Sequence, residues 1–566
     1  MEGLVTDAAH ASRAPLRVGF LLDGFEQPRW VALALEQLLK DGCAVPSVVV
    51  LNGTPGEQIT RLQAYVRNRH QLLYAFYNRF DNKRYSTPDD ALQPANVQSL
   101  LRDVPVMTVT PRSTKWVDYF PDDAIDRLRE YDLDVVLRLG FRIIRGDILK
   151  VARFGVWSYH HGDNNEYRGG PAGFWEVMRN DPVTGCVLQV LSDELDGGRV
   201  IYRSYGGTQL LSVRQNRAAL YLKSSAFVAR AMRELYENGS MDNVGPASDR
   251  CAPAAYSRPI FTAPTNGVMV SLLARLFGRY VKQRLGSLTH DEQWCLAYRV
   301  APTAGTETPV PDLVPHRFRR LIPPADRFWA DPFPVTVDGR HYIFFEELIH
   351  SRGRGHISVV EVNASGPVGG PVPVIERDHH LAYPFVFEWN GTHYLIPECV
   401  STRSVQLYRA VEFPFRWELE RELMTDVAAV DPTLTYINGQ WWMFANTDAG
   451  GASTMDELNL YYADSPLGPW RPHSRNPVIS DVRRSRPAGR LFRWAGAWFR
   501  PSQDSAGSYG RALVINRIVR LDRQGYEEIP VTRVEPEWMP KLIGTHTINA
   551  ADGVTVIDGL RRRRRL

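Results

Sequence analysis

The pattern of apolar and polar positions changes character along the chain. In the first part, short apolar runs such as "LRVGFLL" (16–22) and "VWSYH" (156–160) alternate with amphipathic stretches such as "RWVALALEQLLKDG" (29–42). The short runs are typical of buried strands, and apolar residues at a period near 3.6 are typical of helices. Strands that alternate with helices predict a parallel sheet covered on both faces. We therefore expect an α/β domain over residues 16–210, preceded by a disordered tail at residues 1–15.

A helical pattern replaces this alternation between residues 211 and 315. The stretch "NRAALYLKSSAFVARAMRELYENG" (216–239) is amphipathic and ends at Asn-Gly, which is a common helix end. The stretch "VAPTAGTETPVPDLVP" (300–315) is rich in Pro and Thr, as linkers often are. Residues 211–315 are therefore predicted to be a helical region that joins two domains.

Beyond residue 316 the helical patterns nearly vanish, and a short phrase recurs. Three copies place a proline seven residues before a turn glycine: "ADPFPVTVDGRHYIFFEE" (330–347), "AYPFVFEWNGTHYLIPE" (382–398) and "VDPTLTYINGQWWMFAN" (430–446). Looser copies lie at 485–504 and 544–559. Each copy has the pattern of two strands joined by a tight hairpin, and strand repeats of roughly 50 residues indicate a β-propeller. The five copies predict an all-β five-bladed β-propeller over residues 316–560.

Composition fits a soluble globular protein of two or three domains. Hydrophobic residues make up 44% and charged residues 23% of the 566 positions, and this length exceeds one ordinary core. The net charge of +4 is small for the length, which argues against a nucleic-acid binder. The five cysteines form no C-x-x-C pair, so neither a disulfide framework nor a metal site is expected. No signal-peptide layout or membrane-length apolar stretch is present, so we expect a cytoplasmic location.

Two basic segments each have two interpretations. We expect residues 561–566, "RRRRRL", to be a solvated basic tail, with an anchor to an anionic membrane surface as the alternative. The segment 268–286 mixes apolar residues with Arg275, Arg279, Lys282 and Arg284. A helix of this pattern either packs its apolar face on a neighbour, which we favour, or makes peripheral contact with a membrane.

The candidate chemistry begins at His160, which stands at the end of a predicted strand. In α/β sheets, ligands bind at the carboxyl ends of the strands. The residues that follow, "HGDNNEYRGGPAGFW" (161–175), are polar and turn-prone. A histidine, acidic residues and glycines are therefore expected near one strand end.

Three segments in this region resemble the formyltransferase family. They are "LDVVLRLGFRIIRGDIL" (133–149), "GVWSYHHGDNNEYRGGPAGFW" (155–175) and "TGCVLQVLSDELDGGRVI" (184–201). The family has a strand ending in Asn-x-His, a loop closed by Tyr-Arg-Gly, then Thr-Gly and Asp-x-Gly. The matching residues here are His160, Tyr167-Arg168-Gly169, Thr184-Gly185 and Asp196-Gly197-Gly198, in the same order. The resemblance implies a Rossmann-like domain that transfers a formyl group from 10-formyltetrahydrofolate to an amine.

The resemblance also implies roles for individual residues. His160 would polarise the formyl oxygen, and Asp196 would hold His160 and help to remove the amine proton. Ser158 stands where the family has Asn, and loss of one oxyanion donor costs about 100–1000-fold in rate. Either Ser158 is a catalytic substitute for that donor, helped by the amide of Asn164 or Asn165, or His160 and Asp196 are a structural pair in a retired site. The implied cofactor-binding residues are Leu139, Gly140, Tyr167, Arg168, Gly169 and Gly197.

The repeats resemble the propellers of family 43 and family 32 glycoside hydrolases, and a similar domain precedes a sphingolipid glucosamine transferase. In the hydrolases, acids from successive blades meet at the axis as acid and base. Tyr383 and Arg486 stand at two positions where further acids are expected, so hydrolysis is not the activity we favour. The predicted sugar site consists of Asp331, Glu347, Glu398, Asp431, Arg486 and His546, with Glu346 as a further candidate acid. The alternative is that the Asp-Pro pairs only cap turns.

Taken together, the patterns and the resemblances predict an N-formyltransferase that acts on a nucleotide-linked amino sugar in surface-glycan biosynthesis. The propeller would hold the sugar. The alternatives are a glycoside hydrolase or glycosyltransferase that works in the propeller, or a non-catalytic glycan-binding protein with a degenerate formyltransferase scaffold. Dependence on folate would separate the first interpretation from the others.

Overall fold

The computed structural model describes residues 13–54, 63, 67–245, 256, 258–301, 309–448 and 453–564. The chain divides into two compact units, one of residues 1–204 with 208–278 and one of residues 205–207 with 279–566. We call the first the α/β unit and the second the sheet unit. Most of the predicted tail at 1–15 and part of the predicted linker at 300–315 lie outside the described residues.

The α/β unit contains most of the helices. Its strands are β1 (Leu16–Leu22), β2 (Glu26–Pro28), β3 (Ala44–Asn52), β4 (Pro94–Asn96), β5 (Val106–Val109), β6 (Arg112–Ser113), β7 (Val117–Tyr119), β8 (Val135–Arg138), β9 (Ile143–Arg145), β10 (Val156–His160), β11 (Val183–Val190) and β12 (Arg199–Gly207). Its helices are α1 (Arg29–Lys40), α2 (Leu72–Tyr85), α3 (Asp122–Arg129), α4 (Trp175–Arg179), α5 (Val213–Ser224) and α6 (Phe227–Asn238), and α7 (Asn266–Thr289) begins in it. Short 3-10 turns lie at Arg69–Gln71, Gln98–Leu101, Asp147–Lys150 and Met241–Asn243.

Seven of these strands form one sheet in the order β12-β11-β10-β8-β1-β3-β5. The five strands from β10 to β5 are parallel, and β11 runs antiparallel to β10. Neighbouring residues of β1 pack into different cores, Phe20 with Leu35 of α1 and Leu21 with Ile125 of α3. Burial on both faces explains why the strands are continuous apolar runs. The predicted α/β fold is confirmed, and the antiparallel edge is an addition that the apolar pattern did not indicate.

The sheet unit consists almost entirely of strands. They are β13 (His290–Val300), β14 (Arg319–Leu321), β15 (Arg327–Val337), β16 (Arg340–Ile349), β17 (Arg354–Asn363), β18 (Gly366–Ile375), β19 (Ala382–Trp389), β20 (Thr392–Glu398), β21 (Ser404–Glu412), β22 (Arg416–Thr425), β23 (Ala429–Ile437), β24 (Gln440–Thr447), β25 (Glu457–Ala463), β26 (Arg471–Pro472), β27 (Ile479–Ser480), β28 (Phe492–Trp494), β29 (Ala497–Asp504), β30 (Ala512–Asp522), β31 (Gly525–Val534), β32 (Leu542–Gly544), β33 (Ile548–Ala551) and β34 (Val554–Arg564). Further 3-10 turns lie at Pro315–Arg317, Val400–Thr402 and Pro536–Trp538.

In the described residues, these strands form five antiparallel sheets. Four are built from consecutive strands, namely β15–β18, β19–β22, β23–β27 and β28–β31. The fifth joins β13 and β14 to β32, β33 and β34, so it combines strands from both ends of the unit. This is the order of strands expected for propeller blades. Closure into a five-bladed propeller stays a prediction.

The basic segment near the end of the chain is a strand and not a tail. Residues 561–564 complete β34 and lie opposite residues 290–293 of β13. Arg562 and Arg563 lie 3.8 and 3.4 Å from Glu292 and Asp291, respectively. Opposite charges that face each other across a ladder stabilise the pairing. The predicted tail is therefore wrong for residues 561–564, whereas residues 565 and 566 lie outside the described part.

The predicted helical region at 211–315 is divided by the structure. Its helices up to residue 278 cluster with the α/β unit, whereas residues 290–300 form β13. The apolar centre of β13, "WCLAY" (294–298), is buried between β14 and β34, which explains its extended conformation. No helix in the described ranges is long and apolar enough to cross a membrane.

Candidate functional site

The first candidate site lies where β8 and β10 end. The side chain of His160, the last residue of β10, places its Nδ1 3.4 Å from Asp196 Oδ1 and its Nε2 2.8 Å from the carbonyl oxygen of Tyr167. The carbonyl only accepts hydrogen bonds, and so does an ionised carboxylate. Both ring nitrogens therefore face acceptors, an arrangement that favours the doubly protonated imidazolium. The proximity predicted for His160 and Asp196 is confirmed, and their chemical role stays a prediction.

The electrostatics of the pair support the same protonation states. Burial alone would lower the pKa of His160, but the hydrogen bond and charge of Asp196 outweigh burial and raise it above the ordinary 6.5. Burial alone would raise the pKa of Asp196, but His160 and the Gly169 N–H, which donates to Oδ2 at 3.0 Å, lower it below 3.8. Both shifts therefore favour the ion pair of an imidazolium and a carboxylate.

Ser158 lies two residues before His160 and is buried. Its hydroxyl accepts a hydrogen bond of 2.9 Å from Nη1 of Arg138, the residue opposite it in the ladder of β8 and β10. Other guanidinium N–H groups of Arg138 donate to the carbonyl oxygens of Phe141 and Arg142 at 3.1 and 2.6 Å. Sequence reasoning missed Arg138, although a single arginine inside the apolar run "LDVVLRLGF" was a visible signal.

The loop that follows β10 is held by its own hydrogen bonds. Asn164 is buried, donates to the carbonyl oxygen of Asp196 at 3.3 Å and accepts from Arg203 at 3.0 Å. Its amide is thus engaged within the loop, whereas Asn165 is exposed. Of the two amides considered as substitutes for the missing donor, Asn164 is already committed to structure.

The predicted cofactor residues have structural neighbours that account for several of them. A Cβ at Gly140 would lie 2.3 Å from the backbone N of Asp23, and one at Gly169 would lie 2.4 Å from the carbonyl oxygen of Phe261. Close packing therefore requires these glycines. A Cβ at Gly197 would meet the Glu194 side chain.

The remaining three cofactor candidates are tied to their surroundings. The Leu139 N–H donates to the Leu21 carbonyl at 3.0 Å, and the Tyr167 hydroxyl donates to Asp181 at 3.0 Å. Arg168 is buried and forms a 2.5 Å ion pair with Glu194. These contacts within the protein fix the positions of the three residues. Their contact with a cofactor stays a prediction.

Glu176 is a further buried acid near His160 that the motifs did not indicate. It is 2% exposed, and its Oε1 has no hydrogen-bond partner among the described residues. Burial raises its pKa to about 7, and the charge of His160 partly offsets that rise. A second proton-exchanging group therefore lies beside the pair of His160 and Asp196.

The second candidate site is in the sheet unit, where three residues share an unusual backbone conformation. Asp331, Tyr383 and Asp431 have φ angles of 51°, 44° and 51°, and strand pairing shifts register at each of them. Each precedes a proline. A residue of this kind inside a strand forms a β-bulge that redirects its side chain. All three side chains are buried.

The carboxylate of Asp431 contacts side chains that come from other parts of the sheet unit. Arg486 Nε lies 2.5 Å from Asp431 Oδ2, and Arg486 Nη2 lies 3.2 Å from Glu398 Oε2. Gln503 donates to Asp431 at 2.9 Å. The ring of Tyr509 lies 4.9 Å from the guanidinium carbon of Arg486. The predicted convergence of Asp431, Glu398 and Arg486 is therefore present.

Asp331 belongs to a neighbouring group around His546. The imidazole of His546 lies between Asp558 Oδ2, at 2.5 Å from Nδ1, and Asp331 Oδ1, at 3.5 Å from Nε2. Thr547 donates to Asp331 at 2.8 Å, and Trp294 stacks on His546 at 3.9 Å. Ligand atoms of the two aspartates and His546 all lie within 4.8 Å of one another, a spacing that a metal ion could bridge. The sequence analysis missed Asp558 and Trp294, which come from the two strands it had not paired.

Glu347 is not part of this group, contrary to the prediction. Its side chain lies on the face of β16 that packs against Tyr298 and Val556. Its carboxylate accepts hydrogen bonds from Arg327, Trp329 and Ser358. Hydrogen bonds from these partners and from His356 outweigh burial and lower its pKa to about 2. Glu346 lies on the opposite face, with Phe344 and Tyr383, because successive strand residues point to opposite sides.

Comparison with known proteins agrees with this division into two kinds of region. Residues 322–541 match a family model described as "Glucosamine inositolphosphorylceramide transferase 1, N-terminal". The chain as a whole has a formyltransferase-like N-terminal region followed by a region homologous to that transferase.

Particular relatives make the likeness specific. Glucosamine inositolphosphorylceramide transferase 1 of Oryza sativa subsp. japonica is 36% identical over 208 residues, which are 36% of this chain and 28% of the rice protein. Methionyl-tRNA formyltransferase of Prochlorococcus marinus (strain MIT 9312) is 25% identical over 158 residues, 27% of this chain and 45% of that enzyme. This chain therefore spans less than half of either relative. A family 117 glycoside hydrolase of Zobellia galactanivorans aligns with a TM-score of 0.31 and 13% identity over 48% of this chain and 90% of that chain.

Proposed function

We propose that the protein transfers a formyl group from 10-formyltetrahydrofolate to the amine of an amino sugar, and that the sheet unit holds the sugar. The observation that carries this proposal is the pair of His160 and Asp196, 3.4 Å apart at the end of β10. Relatives of both regions support it, because one named relative is a formyltransferase and the other carries glucosamine in its name.

The groups at the strand end fit the reaction. The folate supplies a formyl carbon that is transferred to the amine nitrogen, with one proton leaving the amine and one returning to the folate nitrogen. Ser158 accepts a hydrogen bond from Arg138 at 2.9 Å, and its hydroxyl donates to the Tyr159 carbonyl oxygen over a long 3.5 Å, a weak bond that it would exchange for one to the formyl oxygen. The positive charges of Arg138 and His160 stabilise negative charge on that oxygen. Asp196 and Glu176 are the nearby carboxyl groups that can take the amine proton.

A second candidate function is a part in glycosyl transfer through the sheet unit. It is favoured by the match to glucosamine inositolphosphorylceramide transferases. The matched model describes the N-terminal part of that protein, and the group around Asp431 and Glu398 is tied to Arg486. We therefore assign the sheet unit to binding the sugar and the α/β unit to the chemistry.

The test is a direct assay of formyl transfer, with 10-formyltetrahydrofolate, a panel of nucleotide-linked amino sugars and detection of the product by mass. We expect a product one formyl group heavier than one of the sugars. His160→Ala and Asp196→Asn should each lower the rate by about 100-fold or more. Asp126→Asn, an exposed carboxylate-to-amide change on α3, serves as the matched control. No turnover by the wild-type protein with any amino sugar would contradict the proposal.

A further inference from the structure

The acidic cluster of the sheet unit carries more acids than bases. We use this name for Asp331, Glu346, Glu398, Asp431 and Asp558 together with Arg486 and His546. Arg486 pairs with Asp431 and Glu398, and His546 lies between Asp558 and Asp331. Five carboxyl groups therefore share one guanidinium and one imidazole.

The surplus of acids is visible in their titration. Burial and the charges of Asp331, Glu398 and Asp431 raise the pKa of Glu346 well above its ordinary value. The pKa of Glu398 is raised in the same way, first by burial and then by the charge of Asp431. The cluster therefore favours binding of additional positive charge. When no ligand is bound, a proton supplies that charge.

Glu346 is the member that lacks a donor. It is 6% exposed, and its Oε1 forms no hydrogen bond with the described residues. The nearest cationic candidate, His380 Nε2, lies 3.3 Å away without hydrogen-bond geometry. Nδ1 of His380 accepts from the Gly355 N–H at 2.8 Å, and burial lowers the pKa of this imidazole, so its single ring proton is on Nε2, which faces Glu346 Oε1 outside hydrogen-bond geometry. A buried carboxylate oxygen without a donor is expensive unless a ligand supplies one.

Aromatic rings lie on the same cluster. Tyr509 is 39% exposed and packs edge-on to His546 at 5.2 Å as well as over Arg486. The side chains of Glu398 and Arg486 are 12% and 9% exposed. Tyr509 therefore covers the Arg486 and His546 side of the cluster with a partly exposed ring, whose face also attracts cations.

We infer that the acidic cluster binds the protonated primary amine of an unacylated amino sugar, with Glu346 as an acceptor of its N–H groups. An ammonium group supplies both the charge and the donor that the cluster lacks. An N-acylated sugar supplies neither charge nor a comparable donor. If the proposed formyl transfer is correct, the amine has to leave this cluster before it is formylated at His160 in the α/β unit, and formylation removes its charge, so the substrate should bind to this cluster more tightly than the product.

Calorimetric titration of the full chain, without folate, tests this inference. The probes are methyl glucosaminide, its N-acetyl and N-formyl derivatives, and methyl glucoside. A hydrogen bond to a charged group contributes enough for the free amine to bind about 10- to 100-fold more tightly than either acylated sugar. Binding should also release protons from the cluster, which titrations in two buffers of different ionisation enthalpy detect.

Glu346→Gln should abolish the preference for the free amine. It removes one of several repelling buried acids, so the variant should fold and melt no lower than the wild type. Glu418→Gln, which changes a carboxyl group that is 58% exposed on β22, is the control and should keep the preference.

Three results would overturn the inference: equal affinity for free and acylated sugars, no sugar binding, or binding only of a divalent cation that excludes the sugar. The last outcome would assign the group of Asp331, His546 and Asp558 to a metal. Because no folate is present, loss of the amine preference and failure of formyl transfer are separate results.

Discussion

At the scale of single residues, the strand-end site is an ion pair flanked by an arginine. Both nitrogens of His160 have acceptors within the protein, so the histidine is fixed in orientation and charge. Ser158 takes its hydrogen bond from Arg138 rather than offering an amide. Where the formyltransferases that this region resembles have an amide, this strand has a hydroxyl beside a guanidinium.

The ion pair predicts how stability depends on pH. The raised pKa of His160 stabilises the fold below pH 6.5, and this contribution disappears as the pH rises through the folded-state pKa. The lowered pKa of Asp196 stabilises the fold above pH 3.8, and this contribution disappears as the pH falls through its folded-state pKa. The ion pair of His160 and Asp196 therefore contributes most to the stability of the fold between pH 3.8 and pH 6.5.

Urea unfolding of wild type and Asp196→Asn measures this contribution. We expect the substitution to cost about 1–3 kcal/mol near pH 5.5 and clearly less near pH 9. A cost that does not change between the two pH values would show that the pair is not charged as described.

Arg138 gives a second prediction at this scale, which depends on the proposed formyl transfer. Arg138→Met should lower kcat by about 100-fold with little change in KM, since the charge acts on the oxygen as it becomes negative. Arg138→Lys should recover part of the loss, because it restores the charge without the planar fork. Steady-state formyl-transfer kinetics decide this, with the exposed Arg129→Met on α3 as the control. An unchanged kcat in Arg138→Met would exclude Arg138 from the reaction.

At the scale of elements, the bulges before the prolines bring side chains from successive sheets together. Tyr383 occupies the position that is Asp331 and Asp431 in the neighbouring copies, with the same left-handed conformation. Its hydroxyl is 2.8 Å from Thr433 Oγ1 and accepts from the Gly489 N–H at 2.8 Å. At the position where the neighbouring copies have an aspartate, this copy has a tyrosine whose hydroxyl joins two other segments by hydrogen bonds.

Tyr383→Phe should therefore destabilise the sheet unit. Removal of the hydroxyl leaves the buried Gly489 N–H without its acceptor, which costs about 1–3 kcal/mol. Tyr436→Phe, at a tyrosine that is 53% exposed, should change little. Chemical denaturation of both variants measures the difference, and equal stability would contradict the role given to Tyr383.

The local elements could be predicted from sequence, and the positions that depend on distant pairing could not. Apolar runs and Pro-to-Gly spacing are local, so they indicated β10 and the hairpins of the sheet unit. The choice between Glu346 and Glu347 needed the facing partners of β16, which come from other sheets. The strand at 561–564 could not be predicted without its distant partner: Arg561 lies opposite Gln293, 268 positions earlier in the chain. A run of arginines without its acidic partner resembles a tail.

At the scale of the whole molecule, the α/β unit leaves large apolar side chains exposed on two of its helices. Phe76 and Phe80 of α2 are 69% and 59% exposed, and Val270 and Phe277 of α7 are 58% and 68% exposed. Exposed basic residues, among them Arg79, Lys83 and Arg275, lie on the same helices. Apolar and basic side chains together are typical of surfaces that bind anionic membranes.

We therefore expect the protein to co-sediment with vesicles that contain anionic lipid and much less with neutral ones. Phe277→Ser should weaken this binding, and added salt should weaken it further because the basic residues act through charge. Trp494→Ser, at an exposed position of the sheet unit (58%), should leave it unchanged. Equal sedimentation with both kinds of vesicle would contradict a membrane-binding surface.

The pairing of β13 with β34 has a consequence for how the chain is made. At translation rates of about 5–20 residues per second, the ribosome needs on the order of 10 to 50 s to pass from one strand to the other. During that interval, β13 can pair with β14 on one side but has no partner on the other, so one of its edges stays open on a nascent chain. The α/β unit can be complete before β13 is exposed, whereas the sheet unit has to wait for its last strand. Conditions that slow elongation late in the message should therefore lower the yield of native protein more than conditions that slow it early.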